Sequence, residues 1–481
     1  MFKTSKHLTA LGMLVGLAAL LAAPAISQDA DGDEDKEVKE QRPLVMVDKD
    51  PFPSTYQPLP STAVVIINVT ILDGLGGRTE NGSVLMMDGK IKAVGESVEV
   101  PEGITVIDGT GKWVTPGIID VHSHLGDYAS PNTAGNSDGN EATNPNTAEV
   151  WAEHSVWPQD PGFERAMAGG VTVLQVLPGS ANLFGGRGVT LKNVPSRTMQ
   201  GMKFPGAPYG LKMACGENPK RVYGGKGRSP STRMGNVAGY RAAWIKAVEY
   251  QNSWDQYYAK YEEGEDPNPP KRDLQLETLV GVLEGEILVH NHCYRADEQA
   301  VMIDISKEFG YQITAFHHAI ESYKIADILA ENDICAAMWA DWGAGKMEMY
   351  DAIRENIPLV HKAGACAITH SDSATGIQRL NQETAKALAH ANNAGIDISK
   401  AEAWLWLSYN PAKALGIADE TGSLEPGKNA DMVLWTGDPF SVYTMAERVF
   451  VDGALIYDLN DPDHQPVSDF RLGQAGQGDA R

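Results

Sequence analysis

The chain has 481 residues, of which 63 are acidic and 40 are basic, so its formal net charge at pH 7 is −23. A surface this acidic repels phosphate groups, which excludes nucleic acid and anionic membranes as the principal partners. At roughly 150 residues per domain, the length predicts two or three domains and a sizeable core.

The first 27 residues have the pattern of a secretory signal peptide. Lys3 and Lys6 precede an apolar stretch of roughly 15 residues, and the small residues Ala25 and Ser27 follow it. The stretch is shorter than the ~20 residues that cross a bilayer, which disfavours the alternative of an uncleaved anchor. We expect cleavage near Ser27 and export to the periplasm or beyond, with no membrane attachment of the mature chain.

Short β-rich segments occur near both ends of the remaining chain. Residues 63–117 contain TAVVIINVTILDG and GSVLMMDGKIKAVG, and residues 420–460 contain ADMVLW and RVFVDGALIYD. Such β-branched runs, bounded by Gly and Asp-Gly, predict antiparallel strands. We expect the two segments to form one small β-sandwich domain, preceded by a linker at 28–62 and followed by a tail at 461–481.

The central segment, residues 118–419, alternates between strand-like and helix-like runs. GVTVLQVLP, GEILVHN and ACAITHSD are apolar runs, and DEQAVMIDISKEFG is typical of the helical stretches between them. Alternation of this kind predicts an α/β fold with a parallel sheet, and roughly 300 residues suit a (β/α)8 TIM-type barrel. Several apolar runs end in His or Asp, which is where such barrels place their chemistry.

The stretch GIIDVHSHLG places His122 and His124 one residue apart at the end of an apolar run. Side chains at positions i and i+2 of a strand point to the same face, so the two imidazoles are expected side by side. Imidazole binds Zn²⁺ and similar divalent ions, and the pair therefore predicts half of a metal site.

Three stretches in this order resemble a known family. VTPGIIDVHSH, the later SDS and GSLEPGKNADMVLW look like the amidohydrolase superfamily and, within it, the imidazolonepropionase-like metal-dependent hydrolases. The resemblance covers about residues 63–458. A lone His-x-His pair is weak, whereas the ordered set of strand-end histidines, a final aspartate and the Gly-Lys-x-Ala-Asp tail is specific.

The resemblance implies one or two divalent metal ions, most of all Zn²⁺, at the C-terminal ends of the barrel strands. His317 and His318 compete for one ligand position in ITAFHHAIESYK, and similar sequences keep the histidine five residues before the tyrosine, which favours His318. The implied metal ligands are then His122, His124, Glu217, His290, His318 and Asp372.

Many members of the family bridge two metal ions with a carboxylated lysine. Here Glu217 follows the apolar run GLKMACG and is the favoured ligand, whereas the competing Lys212 stands at the start of that run. The number of bound ions, one or two, therefore stays open.

The resemblance also implies a reaction. The expected enzyme is an amidohydrolase that cleaves the C–N bond of an amide or cyclic amide by attack of a metal-bound hydroxide. Asp372 would serve as general base and then as general acid. His292 would either help to polarise the scissile carbonyl or form a hydrogen bond to a metal ligand. A prolidase-like dipeptidase on the same barrel is the alternative. A catalytically inactive binding protein is a weaker one, because the implied ligands are all present.

Two Gly-rich stretches, taken as loops, carry arginines that suit a substrate carboxylate. Arg187 lies in FGGRG, and Arg228 and Arg233 lie in YGGKGRSPSTRMG. A guanidinium holds a carboxylate through two parallel hydrogen bonds, so these arginines, with His317, are the expected substrate-binding residues. Pairing with acidic residues of the same chain is the competing interpretation. The expected partner is a small amide or dipeptide, and a homo-oligomer is expected from similar proteins alone.

The four cysteines, Cys215, Cys293, Cys335 and Cys366, contain no CxxC pair, which excludes a zinc ribbon or a thioredoxin-type site. One or two disulfides are open in an exported protein, but the spacing selects no pairing. Buried thiols are the favoured interpretation.

Overall fold

The computed structural model describes residues 41–343 and 345–466. The predicted signal peptide at 1–27 and the chain beyond residue 466 lie outside these ranges. No helix in the described part of the chain combines the length and the apolar composition that a membrane crossing requires.

The strands of the described residues follow one another along the chain. They are β1 (Val64–Leu72), β2 (Arg78–Met87), β3 (Lys90–Gly95), β4 (Thr105–Asp108), β5 (Trp113–Pro116), β6 (Ile118–Ser123), β7 (Val171–Val176), β8 (Phe184–Lys192), β9 (Gly210–Ala214), β10 (Leu288–His292), β11 (Ile313–His317), β12 (Cys335–Met338), β13 (Cys366–Thr369), β14 (Met432–Trp435), β15 (Ala446–Val451) and β16 (Ala454–Asp458).

The α-helices lie between and around the strands of the central segment. They are α1 (Pro161–Ala168), α2 (Glu217–Gly224), α3 (Arg233–Glu262), α4 (Leu274–Leu283), α5 (Ala296–Phe309), α6 (Ala326–Glu331), α7 (Asn356–Lys362), α8 (Leu380–Asn393), α9 (Lys400–Trp404) and α10 (Tyr409–Ala414).

One eight-stranded sheet contains strands from both ends of the chain. Its order is β16-β15-β14-β5-β1-β2-β3, with β4 paired to β1. The two halves meet where β14 runs antiparallel to β5, with Val433 opposite Thr115. The two predicted β-rich segments therefore share one sheet, and its description as a two-layer sandwich stays a prediction.

Two tight turns in this sheet explain the Asp-Gly pairs of the sequence. Asp88 and Gly89 connect β2 to β3 with φ angles of 54° and 73°, and Asp452 and Gly453 connect β15 to β16 with 47° and 70°. Two consecutive positive φ angles define the turn whose twist matches the strands it joins, and Asp-Gly adopts them readily.

The second eight-stranded sheet is the nearly closed barrel, in the order β13-β12-β11-β10-β9-β8-β7-β6. The α/β class and the barrel-like sheet agree with the prediction. A wholly parallel sheet is wrong at β8, which runs antiparallel to both β7 and β9. Only residues 177–183 connect β7 to β8, and this is too short for the crossover that a parallel strand needs.

Side-chain and backbone hydrogen bonds link the two ends of this sheet. Ser371, which follows β13, donates from its hydroxyl to the Asp120 carboxylate on β6. The backbone N–H of Asp372 donates to the His122 carbonyl at 3.0 Å. The last barrel strand is thereby held against the first one, beside the two histidines of the sequence motif.

A long helix follows α2. The 30-residue helix α3 begins at Thr232, whose side chain accepts a hydrogen bond from the Gly235 N–H. Its fully buried Trp244 packs against Phe184 and Tyr311, with ring centroids 5.4 and 4.4 Å away. This packing fixes α3 against the outside of the barrel.

All four cysteines form disulfides, so the favoured interpretation as buried thiols is wrong. One bridge joins Cys215 to Cys293 and the other joins Cys335 to Cys366. Cys335 and Cys366 are register partners at the starts of β12 and β13. This pairing therefore follows from the strand register, which the spacing of the cysteines in the sequence does not reveal.

Candidate metal centre

The His-x-His motif lies at the carboxyl end of the first barrel strand. His122 is on β6 and is 1% exposed, and His124 follows the strand with a partly exposed side chain. Their ring centroids are 5.1 Å apart. The strand alternation thus places two imidazoles side by side, as the sequence predicts.

Asp372 completes one group of possible metal ligands. Ligand atoms of His122, His124 and Asp372 all lie within 4.8 Å of one another. An oxygen of Asp372 is 3.1 Å from Nε2 of His124 and 3.6 Å from Nε2 of His122.

A second group shares His122 and adds two histidines. Ligand atoms of His122, His318 and His370 also lie within 4.8 Å of one another. The structure therefore brings His318, rather than His317, into a possible ligand group. Sequence reasoning missed His370, although it stands two residues before Asp372 at the end of an apolar run, the same spacing as in the His-x-His motif.

Several buried nitrogens of this cluster have no hydrogen-bond partner among the described residues. They are both ring nitrogens of His370 and Nδ1 of His318. Buried polar atoms are nearly always paired, so unpaired nitrogens on two neighbouring histidines call for a ligand. Imidazole nitrogens with one nearby carboxylate form a donor set that fits a divalent ion such as Zn²⁺.

Two more buried histidines, His290 and His317, adjoin this cluster inside the barrel. Nε2 of His317 is 2.9 Å from Nδ1 of His290, and Nδ1 of His317 is 2.8 Å from Nδ1 of His122. His317 therefore lies inside the barrel between two other histidines. This contact pattern differs from its predicted role in binding substrate.

Lys212, and not Glu217, projects into the barrel interior. Lys212 is on β9, is fully buried, and places Nζ 3.2 Å from Nε2 of His122. Glu217 begins α2 beyond the strand end, where its backbone N–H donates to Glu348. It belongs to neither possible ligand group of the described residues. The geometry thus favours Lys212, the residue that the sequence analysis ranked second.

Burial sets the protonation of the histidines. It lowers the pKa of His290 and of His370 to about 3. Burial also lowers the pKa well below the usual range in His122, His292, His317 and His318. These imidazoles are neutral at pH 7, which is the form that binds a metal ion.

The pKa values of Lys212 and Asp372, the two other ionisable groups of the centre, are also lowered. Burial lowers the pKa of Lys212 to about 8. Burial alone would raise the pKa of Asp372, but hydrogen bonding to His124 and the charges of His124, His370 and Lys212 outweigh it and lower the pKa. Asp372 is therefore a carboxylate at neutral pH.

His292 lies at the rim of the centre. Its Nε2 is 3.2 Å from the side-chain nitrogen of Asn218, and its ring centroid is 4.5 Å from that of His318. Its Nδ1 has no partner among the described residues. The rim continues with Tyr294, whose ring contacts His292, and with Lys346, which donates to the Tyr294 hydroxyl.

The three predicted substrate arginines have protein partners. Arg187 is on strand β8 rather than in a loop, is buried, and stacks over Trp151 at 4.0 Å. Arg233 pairs with Glu298 and Glu348. Arg228 donates to a backbone carbonyl. The competing interpretation of acidic partners thus describes Arg233, and the substrate-binding role stays a prediction for all three.

The buried histidines and carboxylate at the carboxyl ends of the barrel strands define a barrel protein with a candidate metal centre. Residues 280–459 match the model described as the Amidohydrolase family. The crystal structure of an amidohydrolase from Thermotoga maritima MSB8 matches with 35% identity and a TM-score of 0.75, over 82% of this chain and 100% of that one. The chain belongs to the amidohydrolase family, a family of hydrolases that act on C–N bonds.

Two curated relatives extend over most of this chain. An amidohydrolase (tasK) of Hapsidospora irregularis is 31% identical over 424 residues, which are 84% of this chain and 42% of that protein. The chain therefore spans less than half of that relative. An imidazolonepropionase of Mesorhizobium japonicum is 24% identical over 400 residues, 76% of this chain and 89% of that protein.

Proposed function

We propose that this chain is a metal-dependent hydrolase that cleaves the C–N bond of a small amide or cyclic amide. The observation that carries the proposal is the pair of ligand groups that share His122 and include the Asp372 carboxylate. The similarity to an imidazolonepropionase supports a cyclic amide as one substrate class.

Two sets of residues would hold the metal. His122, His124 and Asp372 form one set, and His318 and His370 join His122 in the other. A bound divalent ion, for which we propose Zn²⁺, supplies Lewis acidity towards the carbonyl oxygen and lowers the pKa of water at this position.

Asp372 moves the proton. Because its pKa is lowered, it is a carboxylate at neutral pH and accepts a proton from the attacking water. Once protonated, it delivers that proton to the leaving nitrogen as the C–N bond breaks. Its position 3.1 Å from His124 keeps the carboxylate directed at the centre during both steps.

His292 stabilises the developing charge. It is neutral at pH 7, and its Nδ1 has no partner among the described residues. An N–H from this ring donates to the substrate carbonyl oxygen and strengthens as negative charge forms there. Asn218 holds the other side of the ring and fixes its orientation.

The experiment is metal analysis combined with hydrolysis assays of the mature protein. The substrates are cyclic amides such as dihydroorotate, linear N-acyl amino acids and dipeptides. Asp372→Asn should lower kcat by roughly 10²- to 10⁴-fold, as loss of a general base does, while Glu217→Gln, outside both ligand groups, should not. Hydrolysis that survives metal removal, or Asp372→Asn at wild-type activity, would refute the proposal.

We also propose that the mature chain works outside the cytoplasm, as the N-terminal pattern predicts. The two disulfides support this location, because disulfides persist in oxidising compartments. Fractionation of bacteria that express the full chain, with N-terminal sequencing, should find a mature start near residue 28 in the periplasm. A cytoplasmic protein that retains Met1 would contradict it.

A further inference from the structure

Lys346 is a partly buried cation at the rim of the metal centre. It lies between β12 and α7, and its Nζ is 3.2 Å from the Asn218 side-chain oxygen and 3.1 Å from the Tyr294 hydroxyl. Nζ also lies 4.9 Å from the centroid of the Tyr294 ring. An ammonium group has three N–H donors, so these two neutral oxygens leave one donor available.

Two buried lysines of the chain, unlike the buried Lys212, are paired with carboxylates. Lys192 lies 2.8 Å from Asp452, and Lys203 lies 3.0 Å from Glu153. Within the described ranges, no carboxylate lies within 4.0 Å of Lys346. Glu217 and other carboxylates act on this charge from farther away, but none contacts it, so the ammonium group suits direct contact with an anionic group.

The contacts of Lys346 connect it directly to the proposed catalytic residues. Its partner Asn218 contacts His292, with 3.2 Å between Nδ2 and Nε2. Its partner Tyr294 has its ring centroid 4.7 Å from His292 and 5.6 Å from His318. Single side chains, Asn218 and Tyr294, therefore link Lys346 to His292.

An aromatic surface lies on another side of His318. Trp339 stacks on His318 with ring centroids 4.5 Å apart, and Trp342 stacks on Trp339 at 5.0 Å. Trp342 is 41% exposed, so its ring remains available to an incoming group. An apolar aromatic surface and a cation thus both lie near His318, one through Trp339 and the other through Tyr294.

We propose that Lys346 binds the carboxylate of the substrate, and that the substrates are small amides that carry a carboxylate and an apolar or aromatic group. This inference rests on the proposed function and deepens it. Lys346 takes the role that the sequence analysis gave to three arginines. The third N–H donor of Lys346, which neither Asn218 nor Tyr294 accepts, is available to the carboxylate, and Trp342 contacts the apolar group.

The test compares N-acetyl-L-phenylalanine with N-acetyl-L-phenylalaninamide, which replaces only the carboxylate with a neutral amide. Calorimetry of the zinc-loaded protein gives the Kd of a compound that is not hydrolysed. For a compound that is hydrolysed, calorimetry of the reaction gives the KM. The variants are Lys346→Met and the conservative Lys346→Arg. Lys226→Met is the matched control, since it removes the same charge from an exposed lysine bonded to a backbone carbonyl.

The wild-type protein should prefer the carboxylate compound by roughly ten- to hundredfold, the range of a charged hydrogen bond. Lys346→Met should abolish this preference, Lys346→Arg should restore part of it, and Lys226→Met should keep it. Melting temperature and zinc content are measured alongside to show that each variant is folded and loaded.

A wild-type protein without the preference, or Lys346→Met that retains it, would overturn the inference. The proposed function is tested separately, by measuring the zinc content and the hydrolysis of the cyclic amides, N-acyl amino acids and dipeptides. A protein that hydrolyses amides without the preference loses only the Lys346 assignment. A protein that prefers the carboxylate but binds no zinc loses the proposed function, while the anion site stands.

Discussion

Lys212→Met should make the metal-free protein more stable and the metal-loaded protein poorer in zinc. Lys212 is fully buried on β9, next to His122 in the barrel interior. Methionine has a similar volume and no charge, so the substitution removes the ammonium group without opening a large cavity. The two expected effects have opposite signs, which separates a role in metal binding from general damage.

The magnitude follows from the pKa. Burial lowers the pKa of Lys212 from 10.5 to about 8, and this lowering costs the folded state roughly 3 kcal/mol at pH 7. The variant also loses the 3.2 Å contact between Nζ and Nε2 of His122, a hydrogen bond worth about 1 kcal/mol. The metal-free variant should therefore be more stable than the wild type by about 2 kcal/mol.

The gain should depend on pH in one direction. Below pH 8 the folded wild type carries the buried ammonium, so the whole cost is present. Between about pH 8 and pH 10.5 the folded state releases the proton while the unfolded state keeps it, and the stability of the wild type rises with pH. The advantage of Lys212→Met should therefore shrink across this interval.

Urea unfolding of chelator-treated proteins at pH 7 and pH 9.5 measures both effects, with zinc content determined before chelation. Glu217→Gln is the matched control and should change stability by no more than about 0.5 kcal/mol, as surface substitutions do. The reasoning fails if metal-free Lys212→Met is less stable than the wild type at pH 7. It also fails if zinc is lost in Glu217→Gln and retained in Lys212→Met.

Two further predictions concern stability. Burial raises the pKa of Asp127 from 3.8 to about 8, so the stability of the folded state should fall between about pH 4 and pH 8 as the carboxyl group ionises in the unfolded state. Asp127→Asn should remove this pH dependence and stabilise the protein by up to roughly 4 kcal/mol at pH 7. An unchanged pH dependence of the variant in urea unfolding would contradict this prediction. Replacing both cysteines by alanine should cost about 4.5 kcal/mol for Cys215–Cys293, which spans 78 residues, and about 3.7 kcal/mol for Cys335–Cys366, which spans 31. Guanidinium unfolding measures both costs, and a loss below about 1 kcal/mol for either pair would refute the chain-entropy argument.

Most barrel strands were predictable because their apolar runs are bounded by polar residues, but β8 was not. Its sequence FGGRGVTLK has three glycines, which weaken strand propensity, and it was interpreted as a loop. In the structure every position of β8 is buried. Gly186 has a φ of +119°, and a Cβ there would lie 2.3 Å from the Val150 carbonyl oxygen. The glycines thus serve close backbone packing, which only the neighbouring chain reveals.

The candidate site was predictable at the His-x-His motif and at Asp372, but not at His370 or at Lys212. His122 and His124 follow from alternation at the end of β6. Lys212 sits in the middle of β9, between Leu211 and Met213, which pack in the hydrophobic core. The sequence analysis favoured Glu217 as the ligand instead, because Glu217 follows the end of that apolar run. The missing information was the register that sets Lys212 opposite His290 on β10.

The same buried groups that suit a metal ion are costly to the fold when no ligand pairs with them. Both nitrogens of His370 lack partners among the described residues, and Lys212 holds a buried charge. A ligand that binds only the folded state adds stability in proportion to its occupancy, so an ion that engages these nitrogens offsets this cost. The disulfide between Cys215 and Cys293 lies immediately after β9 and β10 and holds together the strand ends nearest the centre. The bridge therefore supports the positions of Lys212 on β9 and His290 on β10 covalently, in addition to the pairing of the two strands.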